Sequence, residues 1–412
     1  MNVDDSPATR APRRLPSWII VTIAGLTVWI ASVAILVTIG YHVTLPAESV
    51  GMAAAGGGIG ATAHQLTGKA SGTDFLIDYA AAHALTHHDD AYAKSARLTV
   101  KVGEPWAVST ADPHPPTFLT LLLPFTLVRY RWAEAAYAAA MIFVLVATIR
   151  LLGVRWAFAI GAGVGIAIAF PGAYGISNPV PLIGLGVAIA YRYRDQPWVA
   201  GAGLALAAAP KWSGLLLVVP FLFTHRWRAA QVAVGLFAAL AVIPIIWQHN
   251  VWSRYLKDGL HAISVNANRR DNAAVLHAAK DFGVPSLLAG AALFALTAFA
   301  ATRARDTWWP TVWLVVAALP VAWMYSTLTL LPIAVVATRR PATWPRAVVL
   351  LMAGLISATP QGGPWTRYMY PVVVGLAWLL LFSRPAADES RFWPTLLSAS
   401  APRDIDDLPV SA

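Results

Sequence analysis

Residues 237–247 read FAALAVIPIIW, and residues 287–301 read LLAGAALFALTAFAA. Neither stretch alternates polar with apolar positions, as the ~10-residue strands of a membrane barrel do. Both are continuous apolar runs, and similar runs recur along the chain at close to the ~20 residues a helix needs to cross ~30 Å of hydrocarbon. A backbone in lipid must satisfy its own hydrogen bonds, so continuous runs predict helices. The composition agrees: 58% of residues are hydrophobic and 12% are charged. Soluble domains carry about twice that charge, so too little polar surface remains for a water-soluble globule. The fold class read here is all-α, a polytopic membrane bundle.

Outward from these two stretches, the pattern predicts about twelve spanning helices, with cores near 18–40, 133–151, 156–173, 179–191, 197–209, 212–224, 229–247, 284–302, 308–325, 327–338, 345–360 and 367–382. Residues 1–17 form a basic cytoplasmic tail, 18–383 the transmembrane domain, and 384–412 a polar, proline-containing tail expected to be disordered and cytoplasmic. The apolar run after RAPRRLPSW exceeds the ~7–15 residues of a signal peptide, so it reads as an uncleaved first helix. Loop arginines fix the parity. With the first helix running outward, Arg150/Arg155, Arg192/Arg194, Arg226/Arg228, Arg303/Arg305 and Arg339/Arg340 all fall inside. This requires that 114–128, HPPTFLTLLLPFTLV, does not cross. With three prolines it reads as a re-entrant or interface-lying helix. The net charge of +10 then belongs to membrane topology, and no nucleic-acid partner is expected. The chain has no cysteine, which excludes disulfides and thiol chemistry.

Two long polar segments, 41–132 and 248–283, fall on the outer face and are expected to carry short helices. Such loops suit an enzyme working at one membrane face. In GTDFLIDYAAAHAL (72–85), Thr73 can cap a helix that begins at Asp74, and Asp74 and Asp78 share one face. Phe75, Leu76, Ile77 and Tyr79 would hold this helix against the membrane surface. An interfacial carboxylate aimed at a cavity can take a proton from a hydroxyl; a plain N-terminal helix residue is the simpler reading. His114-Pro115-Pro116 fixes the chain ahead of the apolar 114–128 segment, or is only a turn. Lys211 lies in AAAPKWSGLL, where a charge is expensive; it either holds a phosphate or snorkels to the interface. Arg254, Lys257, Arg269, Arg270 and Lys280 make the second outer segment basic, which suits a phosphate or solvent. His83, His87, His88, Asp89 and Asp90 lack metal-ligand spacing, so a polar helix end is read there and no metal site or cofactor is expected. The glycine-rich tract at 53–63 reads as a linker.

Taken in chain order, these residues resemble the bacterial polyprenol-phosphate-mannose-dependent mannosyltransferases of the GT-C superfamily, from the first helix to about residue 335. Asp74-Phe75 resembles that family's Asp-Phe, His114-Pro115-Pro116 its Tyr-Pro-Pro, and Ala200-Gly201 through Lys211 its small-residue helix with a lysine. Arg226-Trp227-Arg228 resembles its arginine pattern, and Leu319-Pro320-Val321-Ala322-Trp323 its Ser-Pro-x-Ser-Trp. The chain departs from the pattern in three places. Ser177-Asn178-Pro179-Val180 stands for Gly-Gln-x-Asn, Asp271-Asn272-Ala273 for Asn-Gln-Ser, and Met324-Tyr325-Ser326 for a His pair. The resemblance implies a plasma-membrane glycosyltransferase that moves a hexose, mannose by the family's habit, from a polyprenyl-phosphate donor to a cell-envelope glycan or glycolipid. In that implied inverting reaction Asp74 is the base. Lys211, His114, Asp78, Arg269, Arg270 and Asn178 bind substrate, with the cations holding the lipid phosphate. The competing readings are a flippase or transporter of lipid-linked sugars and an inactive relative.

Overall fold

Every regular element among the described residues is helical. The computed structural model describes residues 74–104, 110–169, 178–269, 272–304, 307–322, 324–338, 348–350, 352–353 and 366–381. The expected first span (18–40), the glycine-rich tract, the Thr73 cap, Arg270 and the C-terminal tail lie outside them, as does most of the expected 345–360 span.

Three helices are long and apolar enough to cross a membrane: Tyr130–Leu151, Trp227–Ile246 and Ser286–Arg303. Eight shorter apolar helices accompany them among the described residues. The expected re-entrant piece is a seven-residue α-helix, α3 (Pro116–Leu122), followed by a 3-10 turn over Leu123–Leu127. Together they extend only ~20 Å, short of the hydrocarbon thickness. The expected 212–224 span is likewise broken, into a 3-10 segment Trp212–Leu217 and α8 (Val218–Phe223).

The centre of the bundle is built on small residues. Helices α6 (Val180–Arg192) and α7 (Pro197–Ala208) pack together, and α9 (Trp227–Val242) packs on the other side of α7. A Cβ added at Gly186 would stand 2.5 Å from the Gly203 carbonyl, and one at Gly203 would stand 2.8 Å from the Ala190 nitrogen. One at Gly201 would meet Val232 at 2.6 Å. The main chains therefore touch, as in membrane bundles where association relies on close van der Waals packing. Outside this core, α9 and α13 (Ser286–Ala304) turn most of their apolar surface outward. Phe143, Phe294 and Leu287 are exposed, as lipid-facing residues would be.

Helix direction sorts the ends of the bundle. Helix α4 (Tyr130–Leu151) starts beside α1 (Asp74–Thr86), where the Tyr79 and Tyr130 rings sit 5.5 Å apart, and ends at Arg150, ~30 Å further along. Helix α6 begins after Asn178 and ends at Arg192; α7 begins near Arg194 and ends toward Lys211. Arg226, ahead of α9, reaches Asp195 at 2.9 Å. Arg150, Arg192, Arg194 and Arg226 thus gather at one end, while Asp74, Asn178 and Lys211 gather at the other. Exposed Trp156, Trp198 and Trp227 mark the arginine end, as interfacial tryptophans do.

The two long polar segments meet at the other end. The second folds as α10 (Val251–Arg254), a π-turn over Tyr255–Gly259, α11 (Leu260–Ala267) and α12 (Val275–Asp281). Arg254 pairs with Asp90, and with Asp258 at 3.2 Å. The Ala91 amide donates to Gln248 Oε1, and His88 Nδ1 lies 2.8 Å from the Trp247 carbonyl. Deeper in, buried Asn272 donates to the carbonyls of Ala267 and Pro320 and accepts from the amides of Ala274 and Ala322. It ties the second polar segment to the loop after α14 (Trp308–Ala317).

Two outcomes follow. Gly203→Leu should lower the thermal midpoint of the purified protein by an amount corresponding to about 1–3 kcal/mol or more, because main chains rather than side chains must part. Gly235→Leu, where an added Cβ meets nothing within 4 Å, should leave the midpoint unchanged. Asn272→Ala removes four hydrogen bonds and strands buried amides and carbonyls. Chemical denaturation should report a loss of about 2–4 kcal/mol.

Candidate functional site

Helix α1 is enclosed by protein. Phe75, Leu76, Tyr79, Ala80, Ala81, Ala82, Ala84 and Leu85 are all buried. Its partners are α2 (Ser95–Lys101), α3 and α4. Four alanines in two turns let these neighbours approach closely. Phe75 stacks on Tyr137 at 4.2 Å and meets Phe125 edge-on at 5.9 Å. Tyr79 donates to the Val128 carbonyl at 2.7 Å. The membrane-surface seat expected for Phe75, Leu76 and Tyr79 is thus a protein seat. It holds the first turn of α1 rigidly, and Asp74 opens that turn with its side chain partly exposed.

Four segments converge on this turn. Asn178, buried just before α6, donates from Nδ2 to Asp74 Oδ2 at 3.0 Å. Lys211, at the end of α7, is pulled two ways: burial lowers its pKa to about 8, while the negative charges of Asp74 and Asp78 oppose that shift. His114, just before α3, places Nδ1 2.6 Å from Asp78 Oδ1. The 114–122 segment is itself hooked to α7, because Thr117 donates to the Ala209 carbonyl at 2.8 Å, two residues from Lys211. Thr120 adds a bond to the Leu240 carbonyl of α9. The structure therefore brings Asp74, Asp78, His114, Asn178 and Lys211 together from segments more than 130 residues apart in sequence.

One member had no sequence signal assigned to it. Asp112 is fully buried; its Oδ1 accepts from the His114 amide at 2.7 Å and lies 3.3 Å from His114 Nδ1. His114 thus sits between two carboxylates. Burial alone would strip its proton, but Asp78 and Asp112 outweigh that, and its pKa is raised to about 10. The Tyr92 hydroxyl donates to the His114 carbonyl at 2.8 Å. Asp78 and His114, expected at the substrate, face each other in the interior, and Asp74 is the carboxylate of α1 with solvent access. The signal for Asp112 was its position in Asp112-Pro113-His114, where a short carboxylate can cap the backbone two residues on.

A chain of aromatic contacts begins at Trp212, the residue after Lys211. Trp212 lies 6.0 Å from Trp252 and 5.3 Å from Tyr255, and Tyr255 lies 5.3 Å from Tyr92. Tyr255 belongs to the π-turn, a local distortion often found at functional sites. Arg269 is exposed at the end of α11. On the far side of α1, His83 and His87 stack at 4.0 Å and line a cleft of 290 Å³ with Asp89 and Lys101, which pair at 2.6 Å. That is the polar helix end expected from the sequence.

A partly exposed carboxylate beside an ammonium, held on buried polar supports, can remove a proton while an anion is bound next to it. The residues supplying it fall on both sides of a family boundary. The sequence model of glycosyltransferase family 87 matches residues 113–359, which include His114, Asn178, Lys211 and Arg269, whereas Asp74, Asp78 and Asp112 precede it. No curated protein and no solved structure matches the chain. The match covers more than half of the sequence, from the turn before α3 to beyond α15 (Leu331–Thr338). On that match the chain belongs to glycosyltransferase family 87 and is a glycosyltransferase.

Proposed function

We propose that this glycosyltransferase moves a hexose, mannose in our reading, from a polyprenyl-phosphate donor to a cell-envelope glycan or glycolipid at the outer face of the plasma membrane. The observation that carries the reading is the placement of Asp74. It is the accessible carboxylate of a cluster whose other carboxylates, Asp78 and Asp112, are buried, it is oriented by Asn178, and it shares its surroundings with Lys211.

In this scheme Asp74 takes the proton of an acceptor hydroxyl. The oxygen attacks the anomeric carbon from the face opposite the lipid phosphate, and the bond to that phosphate breaks with inversion. Lys211 receives the developing negative charge as a point cation, with Arg269 and Arg270 assisting from the second outer segment. Asp78 and His114 hold the helix that carries Asp74. The Asn178 amide fixes one Asp74 oxygen. A lipid-linked donor suits the outward apolar faces of α9 and α13, along which a polyprenyl chain can lie.

The outer-face assignment rests on the arginine end of the bundle. Positive residues concentrate in cytoplasmic loops, and Arg150, Arg192, Arg194 and Arg226 lie at the end opposite Asp74. Three cations at the Asp74 end are paired with carboxylates, Arg131 with Glu104, Arg254 with Asp90 and Lys101 with Asp89.

Membranes supplied with radiolabelled polyprenol-phosphate mannose test the chemistry. Asp74→Asn should reduce transfer about 10²–10⁴-fold, the usual contribution of a general base, while the protein still accumulates. Undiminished transfer in Asp74→Asn would remove Asp74 from the reaction; transfer from a different lipid-linked sugar would correct the donor alone. Sidedness has its own test, aided by the lack of native cysteine. Cysteines at exposed positions, Lys94→Cys and Val265→Cys, should react with an impermeant thiol reagent applied to intact cells, and Arg194→Cys should react only after lysis. The reverse pattern would turn the molecule over.

A further inference from the structure

We infer that Asp78, Asp112 and His114 form a binding site for one divalent first-row metal ion, of the manganese or zinc class. One ligand atom from each residue lies within 4.8 Å of the others, and all three side chains are buried. Two oxygens in the cluster, Asp78 Oδ2 and Asp112 Oδ2, are shut off from solvent and have no hydrogen-bond partner among the described residues. A buried carboxylate oxygen left without a donor costs free energy that native structures avoid. Two of them beside one imidazole make a donor set that an ion satisfies at once.

Two carboxylates with one imidazole suit manganese or zinc better than magnesium or calcium, which favour oxygen alone. The supports expected around a metal site are present. The His114 amide fixes Asp112, and Tyr92 fixes the His114 carbonyl. Asp78 stands one helical turn, ~6 Å along the axis, from Asp74. An ion here fastens α1 to the 111–116 turn and sets the carboxylate that faces substrate, without itself touching substrate. This differs from the expectation of no metal drawn from the His83–Asp90 stretch, because the ligands lie 34 residues apart in sequence, at 78, 112 and 114.

The test reads binding and is independent of which sugar or acceptor is used. The full chain in detergent is stripped with chelator and titrated with Mn²⁺, followed by the loss of the free-ion electron spin resonance signal. One equivalent should bind, and the spin-echo modulation of the bound ion should show one imidazole nitrogen. Asp112→Asn should weaken binding about 100-fold or more, His114→Gln should abolish the nitrogen modulation, and His87→Ala should change neither. Wild-type protein that binds no stoichiometric Mn²⁺ or Zn²⁺ overturns the inference, and so does a bound ion without nitrogen modulation. Loss of the modulation in His87→Ala would move the ion to the cleft beside α1, which also overturns it. Because the modulation is read on the wild-type protein, the inference stays testable even if Asp112→Asn does not fold.

Discussion

Charge taken out of water has to be answered by other charge or by donors, and in this molecule that demand organises the site end of the bundle. Asp78 and Asp112 are buried and His114 lies between them. A buried pair broken on one side costs about 3–5 kcal/mol, because the remaining charge is stranded. Helix α1 and the turn at 111–116 are therefore obliged to stay together. The same turn is hooked by Thr117 to the end of α7. Three elements that carry Asp74, His114 and Lys211 are in this way tied by polar contacts, while the aromatic stack of Phe75 on Tyr137 holds α1 to the first long spanning helix.

Much of this was legible in the sequence. Continuous apolar runs announced helices, since a chain in lipid has few other choices. Asp74, His114 and Lys211 could be picked out because polar residues flanking apolar runs carry a cost that only function or pairing repays, whereas Asn178 entered only through the family resemblance. What could not be read was pairing at long range. Asp112 was not singled out, and nothing local says that it faces Asp78. Asn272 and the Leu319–Ala322 loop were two weak motifs 50 residues apart; a single buried amide joins them. Helix continuity was also overread. The 212–224 run is apolar throughout, yet it splits into 3-10 and α pieces, with Gly214 pressed against Ala207.

The seat of α1 was misread for a related reason. Its hydrophobic residues circle the whole helix instead of favouring one stripe, and a helix apolar all round is covered by protein or lipid on every side. Alanine at positions 80, 81, 82 and 84 admits neighbouring helices, so protein does the covering. This matters for chemistry. A carboxylate on a helix floating at a membrane surface would wander with the lipids, whereas one on an enclosed helix keeps a fixed bearing toward its neighbours, as positioned catalysis requires.

Where α6 and α7 cross, Gly186 and Gly203 let peptide groups lie against peptide groups. Asn178 hangs from the start of one of these helices and Lys211 from the end of the other, both on the same side of the crossing. The gap between the amide that steers Asp74 and the ammonium is thus gauged by main chain, the stiffest material a protein has. Ordinary wear elsewhere in the bundle, a leucine exchanged for methionine or a valine for isoleucine, has little purchase on that ruler. A single methyl placed on the ruler itself would reset it.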